Sequence, residues 1–252
     1  MQLQSTLTVS GSAIDGNSAG EDGGGVHART SSTVTLGDGT SVSRNTARGN
    51  GGGLSLLTTS SLATAGRVSV RDNAATGSSS VGGGIAASTS VTVRLGSGSA
   101  AEIAHNRAAV DGGALALSEN STLADSGDPA FACLLTVHHN TASKGSGGGL
   151  VVSGDSSVTL AASTAVFSQN TAAHQGGGLF IRAGQSEFDS SKATYSIVAK
   201  VTFWRLDLVG NTATTGDGGG DDHFAPFSRQ QMICFVQEKC TLKPAQIQIE
   251  CL

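Results

Sequence analysis

Residues 42–57 read Val42-Ser43-Arg44-Asn45-Thr46-Ala47-Arg48-Gly49-Asn50-Gly51-Gly52-Gly53-Leu54-Ser55-Leu56-Leu57. An aliphatic residue stands three before an asparagine and an alanine two after it; a run of glycines then opens an apolar alternation. The same order recurs seven times, around Asn17, Asn45, Asn73, Asn106, Asn140, Asn170 and Asn211. The residue three before each asparagine is Ile14, Val42, Val70, Ile103, Val137, Phe167 or Leu208. Glycine fills 20 of the 21 triplet places, the exception being Ala114. The intervals between asparagines are 28, 28, 33, 34, 30 and 41 residues, a period that belongs to solenoids and arrays.

After the glycines, apolar residues alternate, as in Leu54/Leu56, Ile85/Ala87 and Leu150/Val152, the period of a strand with one buried face. A second alternation follows, as in Val34/Leu36, Val91/Val93 and Val158/Leu160, and the residue three before each asparagine ends a third. Three short strands in a repeat of about 30 residues, each apolar on one face, describe a coil that winds around a core and pairs with the coils above and below. Helical spacing of apolar residues is absent, and Gly-rich turns interrupt every segment. The predicted fold is all-β: a right-handed parallel β-helix, or solenoid, of about seven coils over residues 1–220, followed by a non-repeat C-terminal segment, residues 221–252.

The constant residues have physical reasons. Glycine is disfavoured in an extended strand, so its persistence marks corners whose backbone angles or close contacts exclude a side chain. Asparagine tolerates the left-handed region and carries both donor and acceptor, so the seven asparagines are expected to form a ladder of amides at one corner. The following alanine is small because that corner is crowded.

Composition excludes several function classes. Aromatics are 4% and charged residues 13%, while hydrophobic residues reach 38%, so the chain folds around small aliphatic side chains. The net charge of −4 is scattered with no basic run, which argues against a nucleic-acid partner. No apolar stretch approaches 18 residues, so no transmembrane segment is expected; the first residues lack the pattern of a signal peptide, and the repeat is under way by Ile14, as in part of a longer chain.

The paired motifs, an apolar residue three before asparagine and glycines followed by an aliphatic residue, resemble the repeats of the chlamydial polymorphic outer membrane proteins. In that family the pair reads Phe-x-x-Asn and Gly-Gly-Ala-[Ile/Leu/Val]; here Phe167 supplies the phenylalanine and Ala114 the alanine. The resemblance runs from Ile14 to about Gly220. It implies a surface-displayed, adhesive β-helix, hence an extracellular or cell-surface location and glycans or cell-surface proteins as partners.

Beyond Gly220 the composition changes: residues 221–252 hold no glycine, three of the four cysteines and two of the three prolines. An end cap is the expected role, because a solenoid must cover its last unpaired coil, and the alternative is an unrelated tail that belongs to another module. An uncapped end would favour end-to-end self-association.

Candidate chemistry is sparse. Asp217, Asp221, Asp222 and His223 form one acidic cluster, weak as a cation site and unaccompanied by a second cluster; the expectation is no metal, no cofactor and no catalytic residue. The alternative to a non-enzymatic surface protein is a polysaccharide-processing enzyme of the pectate lyase or polygalacturonase type, or an inactive relative. His105 and His139 precede ladder asparagines and should stack about 4.8 Å apart in adjacent coils. His138 lies beside the second, but no third ligand is expected to converge with the stacked pair, so solvated turn histidines are the favoured reading. Cys133, Cys234, Cys240 and Cys251 fit no zinc spacing. The longest departure from the repeat, Arg182 to Arg205, holds the single Tyr and single Trp. Phe188, Lys192, Tyr195, Lys200 and Trp204 are therefore the candidate partner-binding residues, against the plainer reading that Ile197–Phe203 is an extra core strand.

Overall fold

The computed structural model describes residues 4–182 and 200–215, together with the strand Ile247–Glu250. Within them the chain is a β-solenoid built from parallel sheets, and its helical content is a single 3-10 turn, Pro129–Phe131. Six turns are complete, as shown by the six stacked strands that follow the glycines: Val26–Arg29, Leu54–Leu57, Ile85–Ser88, Leu115–Ser118, Leu150–Ser153 and Leu179–Arg182. A seventh turn contributes the strand Lys200–Val209 and the corner around Asn211.

Each turn carries one more strand than its apolar alternation announces. Besides the post-glycine strand, a middle strand such as Thr92–Leu95 and a pre-asparagine strand such as Ala100–Ala104, a two-residue strand ends on the alanine after each asparagine. These short pieces, among them Thr46–Ala47 and Arg107–Ala108, stack into a sheet of seven. Their alanines face inward: Ala47, Ala108 and Ala172 are fully buried.

Register between turns is uniform, with Val42 beside Val70, Val70 beside Ile103 and Ile103 beside Val137. Like therefore stacks on like, and the interior becomes columns of Val, Leu and Ile. Near the C-terminal end the core widens to admit Phe167 and Phe203, both fully buried and packed edge to face at 6.4 Å between centroids.

The glycine triplets act through two mechanisms. The first glycine, Gly82 for example, has φ of +67°, a region costly for other residues. The second, Gly83, lies so close to the next turn that a Cβ there would sit 2.3 Å from the Gly113 carbonyl oxygen. The third place is more forgiving, since Ala114 occupies it and is fully buried.

The middle and pre-asparagine strands of one turn fuse into the 12-residue strand Ser157–Ser168. Against Lys200–Val209 its register shifts between Leu160 and Thr164, so that Trp204 alone spans the corner opposite residues 161–163. Ile247–Glu250 pairs antiparallel with the start of Lys200–Val209, from Lys200 opposite Glu250 to Phe203 opposite Ile247.

Candidate functional site

The asparagine corner organises everything near it. Each asparagine donates its backbone N–H and its Nδ2 to Oδ1 of the asparagine in the following turn: Asn73 reaches Asn106 at 3.0 and 3.0 Å, and Asn106 reaches Asn140 at 2.9 and 3.0 Å. The series runs from Asn17 through Asn45 to Asn170 and Asn211. The second Nδ2 proton goes back to a carbonyl of the preceding turn, as from Asn106 to Val70 at 2.9 Å. Both lone-pair directions of each interior Oδ1 and both Nδ2 protons are thus used, which is what a buried amide requires. Asn45, Asn140 and Asn170 are fully buried.

One turn shows the whole unit in compact form: Thr164 to Ser168 in the pre-asparagine strand, Phe167 in the core, Asn170 on the ladder, glycines at 176–178 and then Leu179–Arg182. Residues 164–182 match the Chlamydia polymorphic membrane protein (Chlamydia_PMP) repeat. The matched polymorphic membrane protein repeat therefore corresponds to about two-thirds of one solenoid turn, bounded by the strands that flank the ladder and the glycine corner. No curated protein and no solved structure matches the chain significantly.

Outside the ladder runs a stripe of polar side chains. The residue before each asparagine is held in the left-handed region: φ is +53° at Arg44, +57° at Asp72, +56° at His105, +55° at His139 and +53° at Gln169, with Gly16 and Gly210 in the same column. This kink breaks strand alternation, so that Arg71 and Asp72, and likewise His138 and His139, both reach the outer face, while Ser43 and Ala104 in the same register stay buried. On the first turns the stripe is ionic. Arg44 donates Nε to Asp15 Oδ1 at 2.8 Å and Nη2 to Oδ2, and Ser43 adds a hydroxyl at 2.7 Å. The Arg44 guanidinium, helped by Ser43, holds the Asp15 carboxyl down at about 2. Arg71 pairs with Asp72 at 3.1 Å.

Farther along, the stripe becomes imidazole. The rings of His105 and His139 stack at 4.9 Å with 19° between planes. His138 does not stay on the opposite side of its strand. Its Nδ1 lies 2.9 Å from Nδ1 of His139, and its Nε2 lies 3.0 Å from Oε1 of Glu102. Hydrogen bonding to His138, with Ser69 assisting, lowers the Glu102 carboxyl below the ordinary range. One nitrogen from each of the three histidines falls within 4.8 Å of the others, so the third nitrogen that alternation does not place at this corner comes from His138.

The partner-binding candidates are divided. Val201 and Phe203 are fully buried, so this stretch forms a core strand, while Trp204 beside them is 59% exposed. Lys200 begins the same strand. Phe188, Lys192, Tyr195, Asp217, Asp221 and Asp222 lie outside the described residues, as do His223, Cys234, Cys240 and Cys251. Cys133 is a buried free thiol whose Sγ lies 2.9 Å from the Gly96 carbonyl oxygen. Sequence reasoning missed Asp125. This buried carboxylate accepts from the N–H groups of Ala161 and Ala162 at 3.3 and 3.0 Å and from Ser163 Oγ at 2.5 Å, pinning the corner of the fused strand. Among the described residues, no helix is long and apolar enough to cross a membrane.

Proposed function

We propose that this protein is a non-enzymatic, surface-displayed scaffold that engages a glycan or a cell-surface protein through a patch around one exposed tryptophan at the C-terminal end of the solenoid. The carrying observation is Trp204. A regular stack otherwise built from buried aliphatic columns leaves its single tryptophan 59% exposed, at the corner where its register breaks. Exposed tryptophan is a side chain suited to anchoring a partner, because it combines large apolar area with a polar N–H. Arg205, its neighbour, is paired with Asp207 at 3.1 Å and lends the patch charge as well as apolar area. The match of residues 164–182 to a polymorphic membrane protein repeat supports an outer-membrane or cell-surface location.

On the same reading, residues 1–220 are the repeat domain and residues 221–252 its cap, supported by the antiparallel pairing of Ile247–Glu250 along the edge of the last described turn. The solitary tryptophan makes the adhesive role directly measurable. Titrating the full chain with host-cell surface extracts and glycan panels should change its tryptophan emission, and Trp204→Ser should abolish retention on the same surfaces while leaving the far-UV circular dichroism unaltered. Retention that survives Trp204→Ser would reject this patch as the contact.

A further inference from the structure

We propose that His105, His138 and His139 form a binding site for a divalent ion of the zinc and copper class, with Glu102 as the positioning carboxylate behind His138. Imidazole nitrogen suits these ions, and three imidazoles leave one coordination position for water or for an outside ligand. The three rings already converge, with one nitrogen of each within 4.8 Å of the others. Around a tetrahedral zinc, with bonds of about 2.0–2.1 Å, neighbouring nitrogens stand about 3.3 Å apart. The Nδ1 pair of His138 and His139, now at 2.9 Å, has only to open by a few tenths of an ångström, and the exposed ring of His105 has to swing inward.

The hydrogen bonds assign the atoms. A carboxylate only accepts, so His138 donates Nε2–H to Glu102 at 3.0 Å, and in the neutral ring the lone pair is then on Nδ1, facing His139. A metal ligand whose other ring nitrogen is held by a carboxylate is the arrangement that fixes both tautomer and ring direction. His139 donates Nδ1–H to the His138 lone pair; for an ion to sit between the two Nδ1 atoms, His139 carries its proton on Nε2 instead. The frame is rigid as well. His105 and His139 occupy a left-handed column imposed by the fold on every turn, and each is followed at once by a buried ladder asparagine. Two turns thus present the rings from a fixed corner and not from a loop.

The test is calorimetric titration of the full chain with zinc alone, repeated on His105→Gln/His139→Gln and on Glu102→Gln. Glutamine is the conservative choice because Gln169 fills the same left-handed position in another turn. His138→Ser, which copies the serines at Ser43 and Ser168 in the same register, gives a second route if the double variant does not fold. Wild type should take up one equivalent that the histidine variants lose, while Glu102→Gln should weaken it by about 10–100-fold. Copper-loaded protein should show nitrogen couplings in its paramagnetic resonance spectrum that disappear with the same histidines. Absence of uptake at micromolar zinc overturns the proposal. So does uptake of undiminished stoichiometry and affinity in the histidine variants, because the ion would then sit elsewhere on the chain.

Discussion

Replacing Asn106 by alanine removes an amide from the middle of the ladder, and the structure shows what is lost. Oδ1 no longer accepts from the backbone N–H and the Nδ2 of Asn73, both at 3.0 Å, and Nδ2 no longer donates to Asn140 Oδ1 at 3.0 Å or to the Val70 carbonyl at 2.9 Å. Two of the groups left behind keep a partner: Asn73 Nδ2 still reaches the Val42 carbonyl, and Asn140 Oδ1 still accepts the backbone N–H of residue 106. The Asn73 backbone N–H loses its acceptor inside the corner. An orphaned buried donor costs roughly 1–3 kcal/mol and each remaining bond about 1 kcal/mol net, so the substitution should destabilise by about 3 kcal/mol. Asn17→Ala is the internal control, because Asn17 is exposed and among the described residues its side chain adds only the 2.9 Å bond from Nδ2 to Asn45; about 1 kcal/mol or less is expected there. Urea denaturation of the full chain, followed by far-UV circular dichroism, compares the two midpoints at matched slopes. Asn106→Asp sharpens the comparison. It keeps an acceptor for Asn73 but turns a carboxylate oxygen toward Asn140 Oδ1 and the Val70 carbonyl, so it should be at least as harmful at neutral pH and partly recover as acid restores a donor. Equal midpoints for Asn106→Ala and Asn17→Ala would refute the ladder as a source of stability.

Other perturbations address different contacts. Gly83→Ala places a Cβ 2.3 Å from the Gly113 carbonyl oxygen and 2.4 Å from Arg107 C, both backbone, and should cost about 3 kcal/mol or more, whereas Gly84→Ala, in the place that Ala114 fills one turn on, should cost clearly less in the same denaturation assay. Ser55 Oγ is buried and has no hydrogen-bond partner among the described residues, and the next turn carries Ala86 beside it; Ser55→Ala should raise stability in that assay by up to about 1 kcal/mol. Asp15 is held near 2 against an ordinary 3.8, so the stabilisation it brings is present above 3.8 and is lost as pH falls toward 2. Arg44→Gln should raise the Asp15 titration, read by NMR, toward the ordinary range, with the Ser43 hydrogen bond keeping part of the depression, and added salt should act in the same direction because the pair faces solvent.

The repeat was legible because its determinants are side chains with a single job. An apolar residue three before an asparagine has to enter the core, and a glycine such as Gly83 has no substitute, so both survive every turn and can be counted. His138 was not legible for a definite reason. Strict alternation assigns His138 and His139 to opposite faces, and only the left-handed residue at position 139 brings them together. A signal was present: Gly16 and Gly210 occupy the same column in the first and last repeats, and glycine before a ladder asparagine announces positive φ. The short strands such as Thr46–Ala47 escaped because two residues cannot show a period. Asp125 escaped because its partners, Ala161 to Ser163, meet it only through a corner peculiar to one turn. Phe203 and Trp204 were separable in principle, as neighbours on a strand, but only the register with Leu160 decides which of them enters the core.

The ladder also has a direction. Between amides, each rung donates toward the C-terminal side and accepts from the N-terminal side, from Asn17 to Asn45 and onward to Asn211, while the second Nδ2 proton returns to a backbone carbonyl. Any turn continuing the column past Asn211 must therefore offer an oxygen, and any turn preceding Asn17 must offer donors. Two copies of the rod can prolong each other's amide column only head to tail, by translation along the axis with whatever twist the stack carries. A two-fold axis across the rod would set donor against donor or acceptor against acceptor. The symmetry open to such contacts is that of a filament and not of a closed dimer, and what limits its length is whichever segment covers the last turn.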